Sequence, residues 1–221
     1  MIRHYHLRRQ ICRVGKRLYE RGFVASNDGN ISARIGNPRI LITPTGVSKG
    51  CLRSARLVSV DFEGNARGRL RPSSEFRMHL EIYRQRPDVR AVVHAHTPFA
   101  TAWAVSGREL PADVLPEILL TLGKLPTVPY ENPSSQTLAD AVGRAARAAD
   151  ALLLQNHGVV TLAEDLWTAY YHLERVEHVS KILYHAAQLG PIEAIPREKL
   201  TELMELFPIS SRIREDINSF R

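Results

Sequence analysis

Apolar side chains near the start of the chain fall at helical spacing. Leu7, Ile11, Val14 and Leu18 recur every three or four residues among Arg and Lys, predicting an amphipathic helix with a cationic outer face. Three short β-branched runs follow, in SNDGNISARI, RILITPTGV and LVSVDFEGN. Gly, Asn and Pro punctuate them, as expected for strands joined by tight turns. SSEFRMHLEIYRQRP opens with serines suited to an N-cap and stops before Pro87, so it reads as a helix. VRAVVHAH predicts a strand, and TPFATAWAV a helix with Pro98 near its first turn. LPTVPY predicts a further short strand, SSQTLADAVGRAARAA a helix, and ALLLQNHGVVTL two strands bent at Asn156, His157 and Gly158. Residues 164–189 form one long predicted helix, and a charged, mostly helical tail spans residues 191–221. The strands come as short runs without strict βα repeats. They predict one α/β domain over residues 1–221, a mixed and mainly antiparallel sheet between two helical layers.

Composition agrees with this. Of 221 residues, 44% are hydrophobic and 24% charged, ordinary for a soluble globular chain. Two cysteines, Cys12 and Cys51, are too few for a disulfide framework or a thiolate zinc finger, which points to a reducing compartment and to nitrogen and oxygen ligands for any metal. No apolar core of signal-peptide length opens the chain, and no segment approaches the roughly 20 apolar residues of a membrane span, so the expectation is a cytoplasmic protein with no membrane partner. Residues 1–21 hold seven basic side chains, beginning with Arg3, against Glu20 alone, and so carry +6 of the formal +7. A nucleic-acid footprint would need groove-reading elements or stacking aromatics as well. The expectation is therefore a solvated face or subunit contact, with no nucleic-acid partner and a modest attraction for anionic substrates.

Candidate chemistry starts with His94 and His96 inside AVVHAHTPFA. In a strand, residues i and i+2 project to one face, so both imidazoles aim at one point, as two ligands of one metal must. Core histidines bonded to the backbone would satisfy the same pattern, and both readings stay open on this segment alone. His4 and His6 repeat the spacing on a helix, where i and i+2 share no face. His157 stands between apolar strands, beside a glycine that permits a bend or a close approach, although Asn-His-Gly also suits a plain hairpin turn. Three histidines at strand ends make an N3 zinc site with an open position. His79, His172, His178 and His185 lie on predicted helices and are assigned to surface or packing. Ser73, Ser74 and Glu75 at a helix start fit either an anion site or a cap with a dipole-stabilising Glu. The turns Gly29-Asn30 and Thr45-Gly46 offer further N–H groups to a phosphate.

Taken in order, GNISAR, ITPTG, SSE, HAH and NHG resemble the class II aldolase and adducin-head family over about residues 5–190, and within it the L-fuculose-1-phosphate aldolases. The resemblance implies a mainly antiparallel sheet between helical layers and a homotetramer with sites at subunit contacts. It implies Zn2+, or another divalent ion, held by His94, His96 and His157, with Glu75 completing the shell when substrate is absent. Gly29, Asn30, Thr45, Gly46, Ser73 and Ser74 match the positions that hold a ketose phosphate. Glu75 then removes the carbon-bound proton beside the carbonyl, and the reaction is reversible retro-aldol cleavage to dihydroxyacetone phosphate and an aldehyde. The tyrosine that serves the aldehyde oxygen in well-known members is missing from ADVLPEILLTLG, and Tyr130 in VPYENP is the nearest candidate. Three alternatives share the scaffold: a ribulose-phosphate 4-epimerase, against which Glu75 in place of Asp argues; a methylthioribulose-1-phosphate dehydratase; and a non-catalytic adducin-like module, against which the intact ligand set argues.

Overall fold

Strand Ala91–Ala95 is buried at every position and lies inside the sheet with a neighbour on each side. The structure is a computed structural model that describes residues 4–36 and 38–220, so Arg3 of the basic run lies outside the described residues. In chain order the elements are α1 (Tyr5–Glu20), β1 (Asn30–Arg34), β2 (Arg39–Ile42), β3 (Val58–Asp61), β4 (Ala66–Arg67), α2 (Phe76–Gln85), β5 (Ala91–Ala95) and α3 (Pro98–Ser106). They continue with α4 (Pro116–Leu122), β6 (Thr127–Val128), α5 (Gln136–Ala146), β7 (Ala151–Leu154), β8 (Gly158–Ala163), α6 (Leu166–Leu189), α7 (Arg197–Leu206) and α8 (Ser211–Ser219).

The strands form one sheet in the order β4-β3-β2-β1-β5-β8-β7-β6. Every neighbouring pair is antiparallel except β6 with β7, so the mixed, mainly antiparallel sheet expected from the short runs is present. Side chains alternate across it with period two. Ile31, Val93, Leu153 and Val159 pack with Val14 of α1, Ala100 of α3 and Leu173 of α6 on one face. Ile42, Val92, Leu152 and Val160 pack with Ile82 of α2 and Val142 of α5 on the other. Each fully buried aliphatic contributes about 1.5–3 kcal/mol, so this two-sided alternation fixes the strand register.

The helical tail folds back onto the body. Leu200, Met204, Ile213 and Ile217 form a small core with Leu119 of α4. Arg212 ties it down with an ion pair to Asp150 at 2.5 Å and a hydrogen bond to the Leu122 carbonyl at 3.0 Å.

Two differences from the sequence reading have clear causes. The N-cap of α2 is Glu75 and not a serine: Ser73 is tied to the sheet by its N–H, which donates to the Thr43 carbonyl at 3.0 Å, and its hydroxyl accepts the Glu75 N–H at 3.3 Å in the turn before the helix. Helix α4 escapes the pattern because its seven residues are too short to show a period.

Candidate active site

The period of β5 puts Val92 and His94 on the α2 side of the sheet, and the next residue in that register is His96. Asn30 of β1 pairs directly with His94, and Gly158 of β8 pairs with Leu154 across the β7–β8 hairpin. Between them Asn156 adopts φ 55°, and the His157 N–H donates to the Leu154 carbonyl at 3.0 Å. Glycine is required at 158: a Cβ there would stand 2.6 Å from the Ala95 carbonyl oxygen and 2.9 Å from His96 Cδ2. The hairpin can therefore lie against the HAH segment, and His157 joins the other two imidazoles.

Their ligand atoms all lie within 4.8 Å of one another. His94 Nε2 and His96 Nε2 are 3.2 Å apart, His94 Nε2 is 3.4 Å from Glu75 Oε2, and His157 Nε2 is 3.2 Å from Glu75 Oε1. A tetrahedral ion with bonds of about 2.0–2.1 Å separates its ligands by roughly 3.3 Å, so these three pairs stand at the spacing of ligands to one divalent metal. His94 Nδ1 donates to the Val159 carbonyl at 2.8 Å, which leaves Nε2 bare for a ligand bond. Burial, reinforced by the neighbouring imidazoles, holds His94 down to about 3 and lowers His96 too, so both are neutral near pH 7. Burial alone would raise the Glu75 carboxyl, but His94, His157 and the Asn30 amide outweigh it and hold the group below the usual carboxylate range. Two buried polar atoms, Glu75 Oε1 and His157 Nδ1, make no hydrogen bond. Such atoms normally find a partner, and a bound ion would give Glu75 one.

A cleft of about 260 Å³ opens over this cluster. Gly29, Asn30, Thr45, Gly46, Ser73, Ser74, Glu75, His96 and His157 all line it, while His94 lies fully buried within the cluster. Gly29 has φ +72°, and a Cβ on it would come 2.7 Å from the His94 carbonyl oxygen, so the turn can pass this close only as glycine.

The structure does not bring Tyr130 into this cleft. Its hydroxyl donates to Asn132 Oδ1 at 3.2 Å, and it is half exposed on the segment leading to Pro133 and Ser134, which do line the wall. Three further neighbours of the cluster were not picked out as site residues in the sequence reading. Lys49 is the cleft's lysine, its Nζ donating to the carbonyls of Asn27 and Val47 at 2.7 and 2.8 Å; burial lowers it to about 8. Asp28 approaches His96 Nδ1 at 3.8 Å. His79, assigned to surface or packing, is fully buried, and beyond packing it is bonded to Asn30 and Ser32. Its position one helical turn after Glu75 is the signal that could have revealed it. His172 bonds the Leu162 carbonyl, and His178 and His185 are exposed, as their assignment expects.

Comparison with known proteins bears on this geometry. Residues 9–184 match the family model described as Class II Aldolase and Adducin N-terminal domain. The chain is 35% identical over 175 residues to a 3-oxo-tetronate 4-phosphate decarboxylase of Haemophilus influenzae, covering 77% of this chain and 83% of that protein. It is 38% identical over 176 residues to an L-fuculose phosphate aldolase of Methanococcus maripaludis, covering 79% and 93%. A solved structure of an L-fuculose 1-phosphate aldolase superposes with a TM-score of 0.83 at 31% identity, covering 91% of this chain and 96% of that one.

Proposed function

This chain belongs to the class II aldolase and adducin N-terminal domain family, and on that premise we propose that it is a metal-dependent lyase that cleaves a ketose 1-phosphate of the L-fuculose type. The products are dihydroxyacetone phosphate and an aldehyde, and the reaction runs in both directions. The observation that carries this reading is the convergence of His94, His96, His157 and Glu75, linked by contacts of 3.2–3.4 Å from His96 to His94 to Glu75 to His157, beside a cleft walled by glycine turns and serines.

Three imidazoles with a carboxylate within reach suit Zn2+. When bound, that ion supplies Lewis acidity that stabilises negative charge developing on the ketone oxygen. The remaining work belongs to the chain. Gly29, Asn30, Thr45, Gly46, Ser73 and Ser74 hold the phosphate and so convert remote binding energy into orientation. Glu75 takes the proton from the carbon beside the carbonyl in the condensation direction and returns it to the enediolate after cleavage. The Asn30 amide holds the carboxylate in place at 2.8 Å. The tetramer and the cytoplasmic site are part of the same proposal. Tyr171 and Tyr184, exposed on α6, are apolar surface that a subunit contact would cover, and the free thiols of Cys12 and Cys51 suit a reducing compartment. Among the described residues no helix is long and apolar enough to cross a membrane.

One observation favours a second reading. Loss of carbon dioxide from a 3-oxo-tetronate 4-phosphate would leave the same enediolate for Glu75 to protonate, with no aldehyde oxygen to serve. Among the described cleft-lining residues none is a tyrosine, which suits that simpler demand. The test is to incubate zinc-loaded protein with ketose 1-phosphates and with the oxo-acid phosphate, reading triose phosphate, aldehyde and carbon dioxide separately. Triose phosphate with aldehyde supports the aldolase, triose phosphate with carbon dioxide the decarboxylase, and no triose phosphate from either contradicts both.

A further inference from the structure

We propose that His79 is a positioning residue that, through Asn30, sets the orientation of the Glu75 carboxylate; this rests on the reading of Glu75 as the proton-transfer group. Glu75, the N-cap of α2, stands four residues before His79 and eight before Tyr83, so the three share one face along the helix. Asn30 and Ser32 stand two apart on the facing side of β1. Four helical residues advance about 6 Å, and two strand residues about 6.7 Å. The two stripes thus stay in step and interleave into one chain of hydrogen bonds.

That chain has a single self-consistent polarity. Asn30 Nδ2 donates to Glu75 Oε2 at 2.8 Å, so the amide oxygen faces His79, whose Nε2 must donate to it. His79 Nδ1 is then the acceptor, taking the Ser32 hydroxyl proton at 2.7 Å, and the Ser32 oxygen accepts from the Tyr83 hydroxyl at 2.9 Å. Asn30, Ser32, His79 and Tyr83 are all at least 98% buried, so solvent cannot substitute for a missing partner. Burial keeps the His79 imidazole neutral, with its pKa down to about 4, as a ring with one donor and one acceptor requires. With the opposite tautomer, the Asn30 amide would turn over and present its oxygen to the Glu75 carboxylate. The carboxylate would then lose a donor, gain a repulsive neighbour and leave its place beside His94 and His157.

A buried histidine could instead be mere packing, and the experiment separates the two. In zinc-loaded, 15N-histidine-labelled full-length protein, long-range 1H–15N spectra are expected to show His79 protonated at Nε2 and bare at Nδ1. A proton on Nδ1, or a charged ring, overturns the proposal whatever the enzyme acts on. In turnover assays, His79→Leu is expected to lower kcat about 100-fold with KM changed less than about 3-fold and zinc content unchanged. His79→Gln, which can still donate to Asn30, should recover kcat to within about tenfold of wild type. Ser32→Ala, a milder change in case the leucine variant does not fold, should mix the tautomers and lower kcat by about 3- to 10-fold. Unchanged kcat in His79→Leu, or in Ser32→Ala if the leucine variant does not fold, overturns the proposal, as does loss of zinc in both variants. Should the wild type turn over no substrate, the proposed function falls, and the tautomer spectrum still decides the relay.

Discussion

Glu75 lies 3.4 Å from His94 Nε2 and 3.2 Å from His157 Nε2 while accepting from Asn30, so it can serve both metal and substrate proton. Glu75→Gln keeps shape and removes basicity. It should lower hydrogen exchange at the substrate carbon by two to four orders of magnitude, with bound zinc retained by three histidines, checked by proton NMR and metal analysis. Ser74→Ala touches the cleft wall and not the donor set, and should raise KM for phosphorylated ketoses several-fold with metal content unchanged. At this scale the sequence was legible where neighbours in space are neighbours in a strand: His94 and His96 share a face by simple alternation. His79 was not, because its partners Asn30 and Ser32 come from β1, more than 45 residues away, and helical spacing alone does not say what a face meets.

The elements hold those residues by close backbone approach and by caps from distant helices. Gly158→Ala places a methyl group 2.6 Å from the Ala95 carbonyl oxygen, so β8 must move away from the HAH segment. A loss of about 1–3 kcal/mol is expected, together with lowered zinc occupancy, read by thermal unfolding and metal analysis. Glu177 of α6 accepts the N–H groups of Phe99 and Ala100 at 3.0 and 2.8 Å, capping α3 directly after the metal segment. Most of this architecture was readable from period and punctuation: the two-sided burial of β5, the proline at the start of α3 and the bend before Gly158. The two-residue β4 and the seven-residue α4 were not, being too short to repeat a pattern over the window that makes a period legible. The start of α2 falls at Glu75 and not at a serine, because Ser73 is tied to Thr43, thirty residues back, and its hydroxyl caps only the turn before the helix.

For the whole molecule, folding imposes neutral, buried imidazoles that the unfolded chain would protonate. His94 falls from 6.5 to about 3 and His79 to about 4, so between these values and 6.5 the unfolded state binds more protons. The metal-free protein should therefore hold its stability above about pH 7 and lose it as pH falls from 6.5 towards 4, which unfolding temperatures across that range will check. Zinc at 100 times its Kd should add about 2.7 kcal/mol, and chelation should remove it. The fold class was open to sequence because alternation and turns are local, whereas the assembly is not written in any single segment; light scattering should give about four times 24.9 kDa if the tetramer forms. The central claim is that zinc-bound protein makes an enediolate from a ketose phosphate with Glu75 as the proton carrier. Dihydroxyacetone phosphate alone, incubated in deuterated water with the zinc-loaded protein, tests it most directly. The account predicts exchange of one carbon-bound hydrogen without any aldehyde present, abolished by chelation and nearly abolished in Glu75→Gln. No exchange by the wild type, or exchange at the wild-type rate in Glu75→Gln, would contradict it.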